Sequence, residues 1–229
     1  MNEGWNFSEL NPIRDKVYHY IKNAILKGEL TAGERIIERD LAEKLSISRT
    51  PIREALFRLE SQGFVKTLPR KGVVVARLSP DEIIEIFTIL SALSALAAKL
   101  AARKIDEKTQ LELDRLTGNI ERILAGEDIG KDVSLFHIDI VDTICQAAKS
   151  PKLLNMLHSL FDYIHAFART GFRQPDRMRR SLEEHRDIAI AVRDGEAELA
   201  ENLTKIHIEN SKKAYLKALK GDNNGEEKV

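Results

Sequence analysis

The sequence predicts a mainly α-helical chain in two parts, a winged helix-turn-helix domain followed by an antiparallel bundle of about six helices. Three observations carry this. Two short amphipathic helices are separated by only three residues, Ser46-Ile47-Ser48, which is helix-turn-helix spacing. Two short runs, residues 63–68 and 72–76, read as strands on either side of a basic turn, Pro69-Arg70-Lys71-Gly72. Beyond Ser79, apolar residues recur at helical spacing as far as Lys220.

The first helix is expected over about residues 13–27, with Val17, Tyr20, Ile21, Ala24 and Ile25 apolar. The second falls within residues 36–45, with Ile37, Leu41 and Leu45 turned inward. The third opens on a capping pair, Ser48 and Thr50, followed by Pro51. Its Ile52, Ala55, Leu56 and Leu59 commit one face to a core. Arg49 and Arg53, four residues apart, share one side of its start. Guanidinium forks at the N-terminal end of such a helix suit phosphate oxygens and guanine edges in a DNA major groove. The plainer alternative is a solvated helix with surface arginines. The basic turn between the strands would set Arg70 and Lys71 beside a neighbouring phosphate run or minor groove.

Ser79-Pro80-Asp81-Glu82 marks the boundary, with an N-cap serine, Pro at N1 and Glu at N3. Helices are then expected over about 80–102, 107–125, 131–148, 151–171, 176–194 and 196–220. The first carries Ile83, Ile86, Phe87, Leu90, Leu93, Leu96, Ala97 and Leu100. The second carries Leu111, Leu113, Leu116, Ile120, Ile123 and Leu124. Short connections make these an antiparallel bundle. The organisation read from this is an N-terminal arm over 1–10 (Trp5 and Phe7 its aromatics), a winged domain over 11–77, a helical domain over 78–220, and a polar, flexible tail over 221–229.

Bulk numbers narrow the class. A hydrophobic share of 43% with 31% charged residues fits a globular chain, and zero formal net charge argues against a non-specific polybasic binder. Residues 1–77 hold 14 Lys and Arg against 10 Asp and Glu, and the remainder 22 against 26. A mildly basic front and acidic back suit a DNA reader joined to a ligand or partner domain. The one cysteine, Cys145, excludes an internal disulfide and fits a reducing compartment. No membrane span is expected, because no apolar run reaches ~18 residues. The first ten residues lack a charged-then-apolar signal pattern. The expected location is the cytoplasm.

Chemistry in the second half rests on histidines. His137, His185 and His207 each fall on the apolar face of a different predicted helix. Singly, each reads as a core histidine satisfied by a neighbouring hydroxyl or carbonyl. Together they admit two readings, three such core histidines or a divalent-metal site for zinc, nickel or a similar ion, since bundle interiors build such sites from facing helices. His158 and His165 lie seven apart on the fourth helix of the bundle, and His165 is a candidate pocket residue. Arg169, Arg173, Arg177, Arg179 and Arg180 form a basic run that reads better as a solvated loop and helix start than as an anion site.

The run from Gly28 to Arg35, the helix from Glu38 to Leu45, the stretch from Ser48 to Leu59 and the Arg70-Lys71-Gly72 wing together resemble the GntR family of bacterial transcription regulators. The resemblance implies operator contacts by Arg39, Ser48, Arg49, Thr50, Arg53, Lys71 and Gly72. Arg49 and Arg53 would read bases, Arg39, Ser48 and Thr50 would hold phosphates, and Gly72 would let the wing backbone approach the duplex. Phe136-His137, the run from Glu184 to Val192, and His207-Ile208, with 22 residues from His185 to His207, resemble the FCD ligand domain of the FadR subfamily. That likeness implies a homodimer on an inverted-repeat double-stranded operator, repression relieved by a small-molecule effector such as an organic acid, and a divalent metal on the three histidines.

Three positions depart from the family pattern. Val133 stands where an aspartate ligand is usual, and Leu90 and Ser94 stand where an Arg and a Glu are usual. Leu90, Val133 and His165 are therefore the expected effector-pocket residues, in a pocket more apolar than the family's. Two rival classes are a metal-dependent enzyme using the three-histidine bundle and a nucleoid-type architectural protein. The first lacks an identifiable acid or base beside the metal position. Zero net charge and a base-reading helix argue against the second.

Overall fold

A computed structural model describes residues 12–127, 133–167 and 175–226; side chains are described except at 133–137, 165, 167, 175–176 and 219–226. The backbone divides into two compact units, meeting in sequence at Leu78 and Ser79.

The first unit contains α1 (Ile13–Lys27), β1 (Arg35–Ile36), α2 (Glu38–Leu45), α3 (Arg49–Ser61), β2 (Val65–Leu68) and β3 (Gly72–Val75). The strands form an antiparallel sheet in the order β1-β3-β2. Helix α1 ends where Gly28 turns left-handed at φ +73°, a conformation glycine adopts without a Cβ clash. Val17, Tyr18, Ile21, Ala24 and Ile25 are buried on α1, against Ile52, Ala55, Leu56 and Leu59 of α3. Each fully buried Ile or Leu there contributes roughly 1.5–3 kcal/mol.

Two sequence expectations fail in this unit. Tyr18, not Tyr20, is the buried tyrosine; its hydroxyl donates to Gln62 Oε1 at 2.6 Å and Arg58 lies over its ring. A buried tyrosine needs such a partner. Ile37 is 42% exposed and Ile36 is the buried neighbour. The cause is β1, which the sequence did not announce. Ile36 pairs with Val73, and strand alternation turns the next side chain outward.

Among the described residues, six helices follow Ser79: α4 (Pro80–Arg103), α5 (Glu107–Leu124), α6 (Val133–Ala147), α7 (Pro151–Phe167), α8 (Pro175–Arg193) and α9 (Ala197–Glu226). Ser79 and Glu82 form the expected capping box at the start of α4. Asp106 caps α5 by accepting from the Thr109 backbone. Helices α4 and α9 lie along one another, joined by Lys99 to Glu201 at 2.7 Å near one end and by Phe87 against Tyr215 near the other. The core gathers Ala98, Ala101, Leu113, Leu116, Ile120, Ile140, Ala189 and Val192 from α4, α5, α6 and α8.

One correction applies here. Leu96 and Leu111, expected on apolar stripes, are exposed. Helix α4 is long and apolar enough to cross a membrane by length and composition, and it packs on α9, α6 and α8 as a bundle helix. The polar tail is helical as far as Glu226. Extending a formed helix gains a hydrogen bond per residue fixed, which is far easier than starting one.

Candidate nucleic-acid interface and buried histidine pair

Ser46, Ile47 and Ser48 link α2 to α3, as the spacing predicted, with Ser46 left-handed at φ +53°. Ser48 occupies the N-cap of α3 in extended conformation, but its side chain makes no capping hydrogen bond. Thr50 lies inside the first turn, so the expected capping pair does not form. Pro51 sits at the third helical position, where a missing N–H costs nothing. Ser48, Arg49, Thr50 and Arg53 are all exposed. The apolar face of α3 is used up in the core, so its start is presented outward. Arg53 is 66% exposed by side chain and donates from Nε to Glu38 Oε2 at 2.7 Å. Arg39, in the first turn of α2, is exposed and lies 3.3 Å from Asp40. Exposed pairs of this kind are weak, and the guanidinium groups can exchange them for phosphate or base edges.

The wing is a β2–β3 hairpin in which Leu68 pairs with Gly72. Lys71 N–H donates to Leu68 O at 3.1 Å. Pro69 takes the second turn position and Arg70 the third, with φ +64°. That is a type II pattern, in which the third position favours glycine. A non-glycine residue there carries strain of about 1 kcal/mol, so the tip holds an arginine against its backbone preference. Gly72 has φ +77°, and a Cβ added there would meet only the Arg35 side chain, at 3.7 Å. Its backbone angle is the structural reason for glycine. Arg35 of β1 therefore sits at the base of the wing and adds to its charge. Sequence reading missed it because β1 was unseen. Beside α3, Arg14, Arg53, Arg58 and a 75%-exposed Phe57 line an open depression of about 520 Å³.

In the second unit His185 (2% exposed, on α8) and His207 (5%, on α9) are buried side by side, ring centres 4.1 Å apart in an edge-to-face arrangement. His185 Nδ1 lies 2.6 Å from Ser181 O. A carbonyl only accepts, so Nδ1 carries a proton. His207 Nδ1 lies 2.6 Å from Glu184 Oε2. Arg177 donates to the same oxygen from both Nη atoms at 3.0 Å, and also to Ser211 Oγ at 2.9 Å. Asn210 donates to Glu184 Oε1 at 2.8 Å.

Burial pushes the Glu184 carboxyl up, but bonds from His207 and Asn210 and the charge of Arg177 outweigh it and hold it below the usual range. Burial drives His207 down, and the Glu184 contact only partly offsets this. Burial thus favours the neutral form of the His207 imidazole.

Arg177 corrects the sequence reading. It is buried, not part of a solvated helix start. Arg179 and Arg180 are exposed as expected. Arg177, Glu184, Asn210 and Ser211 were all missed. The available signal was the inward stripe of α8, apolar at Ile188 and Val192, which continues backward through His185, Ser181 and Arg177.

The side chains of His137, Val133 and His165 lie outside the described residues. Among the described residues no group of three His, Cys, Asp or Glu side chains converges on a metal position. Leu90 is buried on α4. His158 is exposed, 3.4 Å from Asp142. Two imidazoles with both Nδ1 atoms committed to oxygens fit an ion that takes nitrogen lone pairs.

An exposed arginine-bearing helix, a basic wing and a separate helical unit with a buried polar interior define a two-part DNA-binding regulator. Residues 13–75 match the model of the bacterial regulatory proteins of the gntR family, and residues 85–210 match the FCD domain. The chain belongs to the GntR family of transcriptional regulators, with an FCD domain as its second part.

Relatives carry both signs of control. The Glc operon transcriptional activator of Escherichia coli K12 is 27% identical over 230 residues, covering 90% of this chain and 89% of its own. The Probable D-xylose utilization operon transcriptional repressor of Paenarthrobacter nicotinovorans is 28% identical, covering 93% and 91%. A solved GntR-type regulator from Rhodococcus sp. RHA1 shares the fold at TM-score 0.67 and 21% identity, covering 90% of this chain and 98% of that one. The protein is a transcriptional regulator with a DNA-binding domain and an effector-binding domain, and not an enzyme.

Proposed function

We propose that this regulator is a cytoplasmic repressor that binds an inverted-repeat operator as a homodimer and is released by a small organic molecule. Residues 11–77 form the operator-reading domain, and residues 78–220 bind the effector and dimerise. Arg49 and Arg53 read base edges, Arg39, Ser48 and Thr50 hold phosphates, and Arg70, Lys71 and Gly72 place the wing on the neighbouring backbone. The observation that carries this reading is the exposed start of α3, with both arginines outward on a helix whose other face is core.

In the helical domain, His137, His185 and His207 hold a divalent ion, and Leu90, Val133 and His165 line the effector pocket. A bound divalent ion would supply an open coordination position for an oxygen of the effector. Buried Leu90 stands where the family carries an arginine, which favours a less acidic effector than the family norm. The effector acts by binding the DNA-competent state less tightly than the incompetent one. Native mass spectrometry of the purified protein tests the dimer, metal and effector parts of this reading. A dimer mass with a divalent ion and a retained small molecule is expected; a monomer with neither would refute the dimer and the metal together.

A further inference from the structure

His185 and His207 are neighbours, but they are held in different ways. Behind His185 Nδ1 stands a backbone carbonyl of its own helix, Ser181 O at 2.6 Å. Behind His207 Nδ1 stands a carboxylate from the facing helix, Glu184 Oε2 at 2.6 Å. That carboxylate is itself anchored at both oxygens. Arg177 takes Oε2 with two Nη donors, and Asn210 takes Oε1. Arg177 is tied in turn to Ser211 of α9. The network therefore crosses between α8 and α9 three times: His207 to Glu184, Asn210 to Glu184, and Arg177 to Ser211.

Its charges balance. Arg177 offsets Glu184, so a neutral imidazole can sit on this carboxylate without leaving an uncompensated buried charge. Glu184 also occupies the back of the ring. An acid standing in for the aspartate that Val133 replaces would have to reach the Nε2 side; Glu184 instead takes the Nδ1 side.

We propose that Glu184, fixed by Arg177 and Asn210, is a positioning residue that orients His207 and selects its Nδ1-protonated tautomer, so that Nε2 is presented for metal ligation. The inference rests on the reading that these histidines hold a divalent ion. Carboxylates behind ligating histidines raise ligand basicity, and their loss typically weakens metal binding about 10–100-fold.

The test is Zn²⁺ and Ni²⁺ affinity of the full chain, measured by competition with a chromophoric chelator, for wild type, Glu184→Gln and Glu184→Asp. The expected result is about 10–100-fold weaker binding in Glu184→Gln and partial rescue in Glu184→Asp. Asn210→Ala, which removes only the Oε1 anchor, serves if circular dichroism shows Glu184→Gln unfolded, and a smaller loss is expected there. Wild type that binds while the folded variants bind equally well overturns this inference and leaves the metal reading standing. Wild type that takes neither ion overturns both. A readout without metal is histidine ¹⁵N NMR: His207 protonated at Nδ1 in the apo protein supports the assignment, and protonation at Nε2 overturns it.

Discussion

The two halves of this regulator keep their chemistry in opposite places. In the DNA-binding unit the side chains proposed to meet DNA are on the surface, and the core behind them is apolar at Ile21, Ile52 and Leu59. In the helical unit Thr117, Arg177, Ser181, His185, Thr204, His207 and Ser211 are buried and interrupt an otherwise apolar interior. Surface readers can change without disturbing the fold. A buried network cannot, because its members bond one another: Arg177 and His207 share Glu184, and Arg177 also holds Ser211. On the proposed reading the first unit can therefore vary its operator cheaply, while the second ties ligand binding to its own stability.

Substitutions can break that contrast, and the largest effect is expected inside the bundle. Arg177→Ala removes the charge partner of a partly buried carboxylate and should lower stability by about 3 kcal/mol, seen as an earlier thermal transition. An unchanged melting curve would mean that the network is ornamental. Arg49→Ala should do the reverse. It is expected to cost about 1–3 kcal/mol of operator binding by fluorescence anisotropy and to relax base choice, with no change in melting.

Arg70→Gly tests the boundary between the two behaviours. Removing a left-handed non-glycine residue from the wing tip should stabilise the first unit by up to about 1 kcal/mol, while operator affinity falls and the salt dependence of binding becomes shallower. The smallest effect is expected from Glu38→Gln. Freeing Arg53 from an exposed pair worth about 0.5 kcal/mol should tighten binding slightly on operator and non-operator DNA alike, as measured in parallel titrations.

The same contrast explains what could be read in advance. Helix α3 was legible because its signal is local: apolar positions at 52, 55, 56 and 59, three linking residues, and two arginines one turn apart. The bundle helices were legible for the same reason, as was the inward placement of His185 and His207. Strand β1 was not, because two residues, Arg35 and Ile36, become a strand only when β3 is beside them. The Arg177–Glu184 pair was not, because a charged residue on a helix reads as solvated until the partner that buries it is known. His207 was visible as an inward residue; that a carboxylate one residue before His185 would hold it depends on how α8 and α9 pack, which no periodicity encodes.

The central claim is that the exposed start of α3 reads a specific duplex sequence. Its most direct test is to select fragments of the host genome with the purified protein and footprint the winners with wild type and Arg49→Ala. The account predicts a protected inverted repeat for wild type, with protection lost or blurred at the base pairs each α3 start meets in the variant. Protection without sequence preference, or an identical footprint from both proteins, would contradict it.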